Sequence, residues 1–324
     1  MNATRRSILG LGTAAMCALA KPAHALMAGS LPDTPAARVD PNTTSSPWTS
    51  AVSVIVNGGT YSGVVVAPSH VLTAAHVPGA ALPAAVSVQV NAQSTPVVIA
   101  ATAITLFPSA SFPYDDLALI TLATPVPDTV EVLPIYRQSL TARQTVTLVG
   151  YGWSGQGDAG PNVPSAAGVK RSGLNSIDAV QTTIDASGRT SLFYLMDFDG
   201  PTGAGSFGLG TLGNALETGL ASGDSGSPAF ATIGGQHWLM GINNFTGASP
   251  GNTTVDFKFG TLAGGMLLSD PRFIAWLTTQ TQNTLGQSSA SAGGDAPLPV
   301  WALGALAVLL TRAVSGSGAR RKGS

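Results

Sequence analysis

The apolar residues of this chain come in short β-branched bursts, not at helical spacing. Val52-Ser53-Val54-Ile55-Val56, Gly63–Val66, Val86–Val90, Val97–Ala103, Leu117–Leu122 and Thr145–Gly150 are runs of this kind, each broken off by Gly, Pro or Asn. Branching at Cβ stiffens χ1 and favours pleated backbone, and the breaks lie too close together for crossover helices. The spacing predicts a barrel or sandwich, not βαβ units, and no internal repeat is visible. One helix is expected, over 270–280. There Ser269-Asp270 offers a cap, Pro271 fits the first turn, and Phe273, Trp276 and Leu277 share a face. The Gly- and Pro-rich stretches Ser154–Ser165 and Gly200–Gly213 are expected to be loops.

Composition agrees with a β-rich body: 44% of residues are hydrophobic, only 10% are charged, and there are 39 Gly and 22 Pro. The 324 residues suffice for one large or two small domains. The lone cysteine, Cys17, lies in an N-terminal apolar stretch. A body without it has no disulfide, no Cys-based metal site and no Cys nucleophile, so its stability must come from core burial. The formal net charge of −1 conceals an uneven distribution. Arg5, Arg6 and Lys21 lie before residue 26, and Arg312, Arg320, Arg321 and Lys322 lie after 297. The body between keeps 8 basic residues against all 16 acidic ones. An acidic body argues against nucleic acid or an anionic membrane as its partner.

Both ends look like addresses. Residues 1–25 have a basic start at Arg5-Arg6, an apolar stretch from Ile8 to Leu19 and the small-residue site Ala23-His24-Ala25, the pattern of an export signal. The pair of arginines before Ser7-Ile8-Leu9 is similar to a twin-arginine signal, with an ordinary secretory signal as the alternative. Residues 282–296 are rich in Ser, Gln and Gly and are expected to form a polar linker. Beyond it, 297–324 combines Pro297-Leu298-Pro299, an apolar run to Leu310 and the basic end Arg320-Arg321-Lys322. The run is short of the ~20 residues of a full membrane-spanning helix. This tail resembles the C-terminal sorting signals of Gram-negative bacteria of the PEP-CTERM type, with a membrane anchor (a transmembrane helix) as the alternative. Signal peptidase and a C-terminal sorting enzyme are then expected partners, and the body is expected outside the cytoplasm.

Three segments carry chemistry: Val71-Leu72-Thr73-Ala74-Ala75-His76, Asp115-Asp116-Leu117-Ala118-Leu119-Ile120, and Gly223-Asp224-Ser225-Gly226-Ser227-Pro228. A serine hydroxyl is a poor nucleophile at neutral pH. It needs a base within hydrogen-bond reach, and the base needs an acid that fixes its tautomer. A histidine at a strand end, an aspartate heading an apolar strand and a serine on a Gly-flanked turn supply those types. Asp116 is preferred to Asp115 because it directly precedes the apolar run. Asp197-Phe198-Asp199-Gly200 holds two acids and a glycine, which an ordinary turn explains better than a calcium loop. No cofactor or metal is expected.

These segments, in the order His–Asp–Ser, resemble the chymotrypsin/trypsin-like serine protease family, with likeness from about 39 to 281. Pro47-Trp48, Gly150-Tyr151-Gly152 and the closing helix belong to the same likeness. The resemblance implies an all-β fold of two six-stranded antiparallel β-barrels, about 39–135 and 136–268, closed by a C-terminal helix over 270–280. It implies that Ser225 attacks the acyl carbon, His76 serves as general base and then acid, and Asp116 orients His76. Gly223 and Ser225 would offer oxyanion-hole amides. Asp224 would accept a new N-terminal amine after activation. Residues 26–38 are then read as a propeptide, with cleavage after Arg38 and the Val39 amine pairing with Asp224. Gly219 stands where a trypsin-like enzyme carries a pocket-base aspartate, and Asn244, Phe245 and Thr246 would line the pocket wall, so a neutral or apolar side chain is expected there. The implied activity is a secreted serine endopeptidase acting on proteins or peptides. A catalytically silent surface binding protein and an esterase-type serine hydrolase remain the alternatives.

Overall fold

The computed structural model describes residues 26–289 apart from Thr141, Ala204, Gly208, Leu209 and Pro250. The export signal expected at 1–25 and the tail expected at 297–324 lie outside the described residues. Along the chain run β1 (Leu26–Ala28), β2 (Ala51–Val56), β3 (Gly59–Ala67), β4 (His70–Thr73), β5 (Val86–Val90), β6 (Val97–Leu106) and β7 (Ala118–Leu122). Then follow β8 (Thr145–Gly150), β9 (Ser154–Gln156), β10 (Gly160–Val163), β11 (Arg171–Ser176), β12 (Ala179–Ile184) and β13 (Thr190–Asp197). The last elements are β14 (Pro228–Ile233), β15 (Gln236–Gly247), β16 (Leu262–Leu267) and the helix α1 (Pro271–Gln280).

Strands β2 to β7 close into a six-stranded barrel in the order β2-β3-β4-β7-β6-β5. Its interior is mostly valine: Val52, Val54, Val65, Val71, Val86, Val88 and Val90 are buried together with Ile99, Ile120 and Leu122. Strand β5 alternates buried and half-exposed residues along its length, the period-2 pattern of a strand with one face inward. The rest of the body forms a seven-stranded sheet, β11-β8-β14-β15-β16-β13-β12, so the second half has one strand more than six. The fold is therefore mostly β, with a closed barrel, a further sheet and a single C-terminal helix, an arrangement consistent with a trypsin-like fold.

The segment Ser154–Ser165, expected to be a loop, instead holds two strands. With β1 they form a small sheet, β1 running parallel to β9 and β10 antiparallel to it. β1 is three residues long and wholly buried, which composition alone does not signal.

The two halves share one apolar seam. Trp48 stacks on Phe230 at 4.9 Å, and Phe107 meets Phe273 and Trp276 of α1 edge-on at 4.9 and 5.3 Å. α1 begins as expected: Asp270 caps it by accepting the Arg272 amide at 2.9 Å, Pro271 occupies the first turn, and Phe273, Trp276 and Leu277 face inward. Arg272 then reaches Asp115 of the first half through two bonds of 3.1 Å, and Ser191 of β13 binds the same carboxylate at 2.8 Å. Asp115 is thus a fixed tie between the halves.

After α1 the chain does not leave the body at once, so the segment expected as a linker from 282 starts as a packed strap. The Gly286 amide donates to the Val66 carbonyl, the Val132 amide to Ser288 Oγ, and Ser289 Oγ to the Val126 carbonyl. Among the described residues no helix is long and apolar enough to cross a membrane. The apolar run 298–310 lies outside them.

Candidate active site

Strand pairing decides where the histidine and aspartate meet. β4 and β7 run antiparallel with Thr73 opposite Ala118, so the residues just after β4 lie beside those just before β7. The Ala75 amide bonds the Asp116 carbonyl at 3.1 Å and locks that register. His76 then closes on the Asp116 carboxylate twice: its backbone amide donates to Oδ1 at 2.9 Å, and ring Nδ1 donates to Oδ2 at 2.7 Å. That bond fixes the tautomer and leaves Nε2 as the acceptor. Asp116 is buried, while the His76 side chain keeps 30% of its exposure.

Ser225 is held by its backbone. Its carbonyl accepts from the Ser62 amide of β3 at 3.2 Å, and the next amide, Gly226, donates to Asn243 of β15 at 2.8 Å. The turn is tightened by Asp224 N to Ala221 O and Ser227 N to Asp224 O. Two glycines are sterically required. Gly223 sits at φ +90°, and a Cβ there would lie 2.9 Å from both Gly152 Cα and Thr60 O. Gly226 sits at φ +82°, with a would-be Cβ 2.0 Å from Thr73 Oγ1. Among the described residues the amides of Gly223 and Ser225 have no hydrogen-bond partner, so both are free to receive an anionic oxygen. Ser227 tolerates the place next to Gly226 because its buried hydroxyl accepts from Asn243 Nδ2 at 2.8 Å.

His76, Ser225, Gly223 and Asp224 line one cleft of about 440 Å³. No hydrogen bond joins Ser225 Oγ to His76 among the described residues. Catalytic bonds of this kind are often long in unliganded enzymes and tighten when substrate arrives.

Asn244, expected as pocket wall, lines the cleft and also reaches behind it. Its Nδ2 donates to the Pro113 carbonyl at 2.9 Å and to Asp116 Oδ2 at 3.3 Å, so it braces the aspartate. Phe245 and Thr246 line the cleft as expected from their position after Ile242, and Leu220 and Ala221 form another wall. Gly219 does not line it. Its carbonyl takes the Met27 amide at 2.9 Å, and a Cβ there would press into the Phe198 ring at 2.7 Å. The reading of Gly219 as pocket base is corrected accordingly: β1 packs against it and turns it away from the opening. Tyr61, Phe112 and Phe257 were missed by sequence reasoning. Phe112 sets its edge toward the His76 ring at 5.1 Å while remaining exposed. Its only signal was an aromatic residue a few positions ahead of Asp115-Asp116.

The pairing of Val39 with Asp224 is not found. The Val39 amide donates to Ala36 O at 3.3 Å, its side chain is exposed, and its backbone bridges to Arg171. Arg38, expected to precede a cut, is buried, with its guanidinium on Asp33 at 2.6 Å and on the Leu216 and Glu217 carbonyls. Asp224 instead accepts amides from Ala221 and Gly152, both at 2.9 Å, and from Leu26. Burial still pushes its carboxyl up to about 7.

A second group of carboxylates lies behind Gly219. Asp178 accepts the Asp197 amide, Asp197 the Phe207 amide, and Glu217 the amides of Asp199 and Leu212. Burial and mutual repulsion raise Asp178 to about 7 and Asp199 to about 6. These groups fasten the 200–213 segment, and among the described residues no set of three or more His, Cys, Asp or Glu is arranged to hold a metal.

A six-stranded barrel facing a second antiparallel sheet, with a histidine–aspartate pair and a serine turn opening on one cleft, has the form of a serine hydrolase. The family model described as Trypsin matches residues 38–188, which takes in His76 and Asp116 and ends before Ser225. The match supports a trypsin-like, serine-protease fold and a hydrolase function. No curated protein matches the chain.

Proposed function

We propose that this protein is a trypsin-like serine endopeptidase that cleaves peptide bonds through an acyl-enzyme on Ser225. The observation that carries the reading is His76 gripped at two points by Asp116 while it lines the cleft that Ser225 shares. Ser225 Oγ attacks the acyl carbon as its proton passes to His76 Nε2, and the same proton then goes to the leaving amine. The amides of Gly223 and Ser225 receive the oxyanion, a contribution of about 3–4 kcal/mol per donor in a related system. Asp116 orients the imidazole and stabilises its charged form.

The cleft walls favour a neutral or apolar side chain beside the cleaved bond. Leu220, Ala221, Phe245 and Phe257 supply apolar surface, and the one acid in the lining, Asp224, is buried on backbone amides. The export signal and the basic-ended tail read from the sequence support action outside the cytoplasm, after processing by signal peptidase and a sorting enzyme.

The test is to label the purified protein with a fluorophosphonate and to assay casein digestion, with Ser225→Ala as control. Labelling and digestion that both vanish in Ser225→Ala are expected. Labelling without peptide cleavage would point to an esterase, and no labelling at all to a binding protein. A profile of cleaved peptides should favour Leu, Phe or Met over Arg and Lys before the cut.

A further inference from the structure

Ser62 of β3 is wholly buried, and its hydroxyl lies between the two halves of the molecule. Ser62 Oγ accepts from the Tyr151 amide at 3.0 Å and donates to the Gly223 carbonyl at 3.1 Å. An amide can only donate and a carbonyl can only accept, so the direction of both bonds is settled and the one hydroxyl proton is committed to Gly223. The Ser62 amide donates to the Ser225 carbonyl at 3.2 Å, and the Ser62 carbonyl accepts from Thr73 Oγ1 at 2.8 Å. Every polar atom of this one residue is therefore engaged, and the nucleophile turn takes two of its bonds.

The grip on that turn is one-sided. Gly223 and Ser225 are both held by their carbonyl oxygens, while their amides have no partner among the described residues. A carbonyl is separated from the amide of the same residue by only two soft torsions, so anchoring the oxygen narrows the directions in which the N–H can point. Gly223 needs such an anchor most. At φ +90° a glycine pays little to move to other backbone conformations, so its own chemistry does not keep its amide aimed. The close approach of Gly152 Cα and Thr60 O excludes a side chain at Gly223 but does not fix its torsions. The anchor also comes from the half that carries the base. β3 pairs with β4, Val64 opposite Leu72, and Thr73, which holds the Ser62 carbonyl, lies three residues before His76.

We infer that the Ser62 hydroxyl is a positioning group for the oxyanion site: by anchoring the Gly223 carbonyl it keeps the Gly223 and Ser225 amides aimed at one point of the cleft, in register with the barrel that carries His76. The inference rests on the peptidase reading above. Ser62 meets no reacting atom and acts only through Gly223. The interaction it supports strengthens as charge develops on the substrate oxygen, so its loss should appear in the chemical step and not in substrate binding.

The test compares the full chain with Ser62→Ala, which deletes the hydroxyl, and Ser62→Cys, which keeps the shape with a weaker donor. Active sites are counted by fluorophosphonate titration, and kcat and KM are measured per active site on a short peptide ester with Leu before the cleaved bond. Ser62→Ala should lower kcat about 10–100-fold with KM changed less than about twofold, and Ser62→Cys should lower kcat by a smaller factor. Affinity for the matching peptide aldehyde, whose adduct with Ser225 places an oxygen where the oxyanion forms, should fall by the same factor as kcat/KM. A residue that only stabilised the fold would reduce the number of active sites and leave kcat and aldehyde affinity per site unchanged. That result in either folded variant would overturn the inference, as would a rise in KM with kcat intact. Both of these leave the peptidase reading standing. A folded parent chain that neither labels nor turns over ester overturns the peptidase reading, and this role with it.

Discussion

The first barrel and the second sheet solve the problem of holding a catalytic group in different ways. The first barrel is a closed cylinder filled with valine, and its contribution to the site, His76 and Asp116, is brought together by the register of β4 and β7. The second half buries Lys170, Arg171, Asp178, Asp197, Asp199, Glu217 and Asp224, and it holds Ser225 on a turn that the Asp224 carboxylate ties to the Ala221 and Gly152 amides. Lys170 shows the cost of this design: burial pulls its ammonium down even though Asp40 sits at 2.8 Å. Closed apolar packing surrounds the strands that seat His76, whereas the half that carries Ser225 depends on buried charge.

The largest expected effect isolates the rigid half. Asp116→Asn should slow fluorophosphonate labelling by about 10⁴-fold while leaving the melting temperature nearly unchanged, since the register that seats His76 does not depend on the charge. A melting temperature that falls together with labelling would make Asp116 a structural residue. Next, Leu72→Ala removes a fully buried side chain of β4 and should cost about 2–5 kcal/mol in urea unfolding, because the seam packed around it cannot easily collapse. A loss below ~1 kcal/mol would mean that the first half is less tightly packed than its burial implies.

Arg272→Ala probes the tie between the halves. It leaves the buried Asp115 on Ser109 and Ser191 alone and should cost about 1.5–3 kcal/mol, with slower labelling as Asp115 shifts beside Asp116. Unchanged labelling would show that the halves stay aligned through the Trp48–Phe230 seam without this tie. The smallest effect belongs to the carboxylate group. Asp178 and Asp199 keep their protons in the folded state at pH values where the unfolded chain, titrating near about 4, has lost them. Their stabilisation is therefore complete below about pH 4 and is lost as the pH rises through 6 to 7. Asp178→Asn should flatten the fall in urea midpoint over that range, while Leu72→Ala should leave its slope unaltered. An unchanged slope in Asp178→Asn would exclude this group as its source.

The same contrast explains what could be read from the sequence. Strands β2, β5 and β8 were legible because their β-branched residues alternate or run together, and α1 because cap, proline and apolar face coincide. Strands β11 to β16 were not. Arg171–Ser176 and Ala179–Ile184 are polar and half-exposed, and Leu262–Leu267 contains two glycines, so these segments become strands through their partners and not by their own preference. Likewise β1 is three ordinary residues whose partners, Ser154, Thr218 and Gly219, lie far along the chain. The segments around His76, Asp116 and Ser225 were visible because each must keep a particular side chain at a particular turn. Gly219 was misplaced because counting back from Ser225 assumes a pocket whose base faces the opening, and here β1 turns it inward. Asn244 was read as wall because nothing in its neighbourhood marks a bond to Asp116.

The strap formed by residues 282–289 bears on mechanics. It is pinned at Val66, Val132 and Val126, all in the first half of the molecule. A pull on the chain beyond residue 289 would be taken up by the closed barrel and would peel the strap before it loaded the Ser225 turn. The protein can therefore be tugged, tethered or clipped at that end with the Ser225 turn undisturbed.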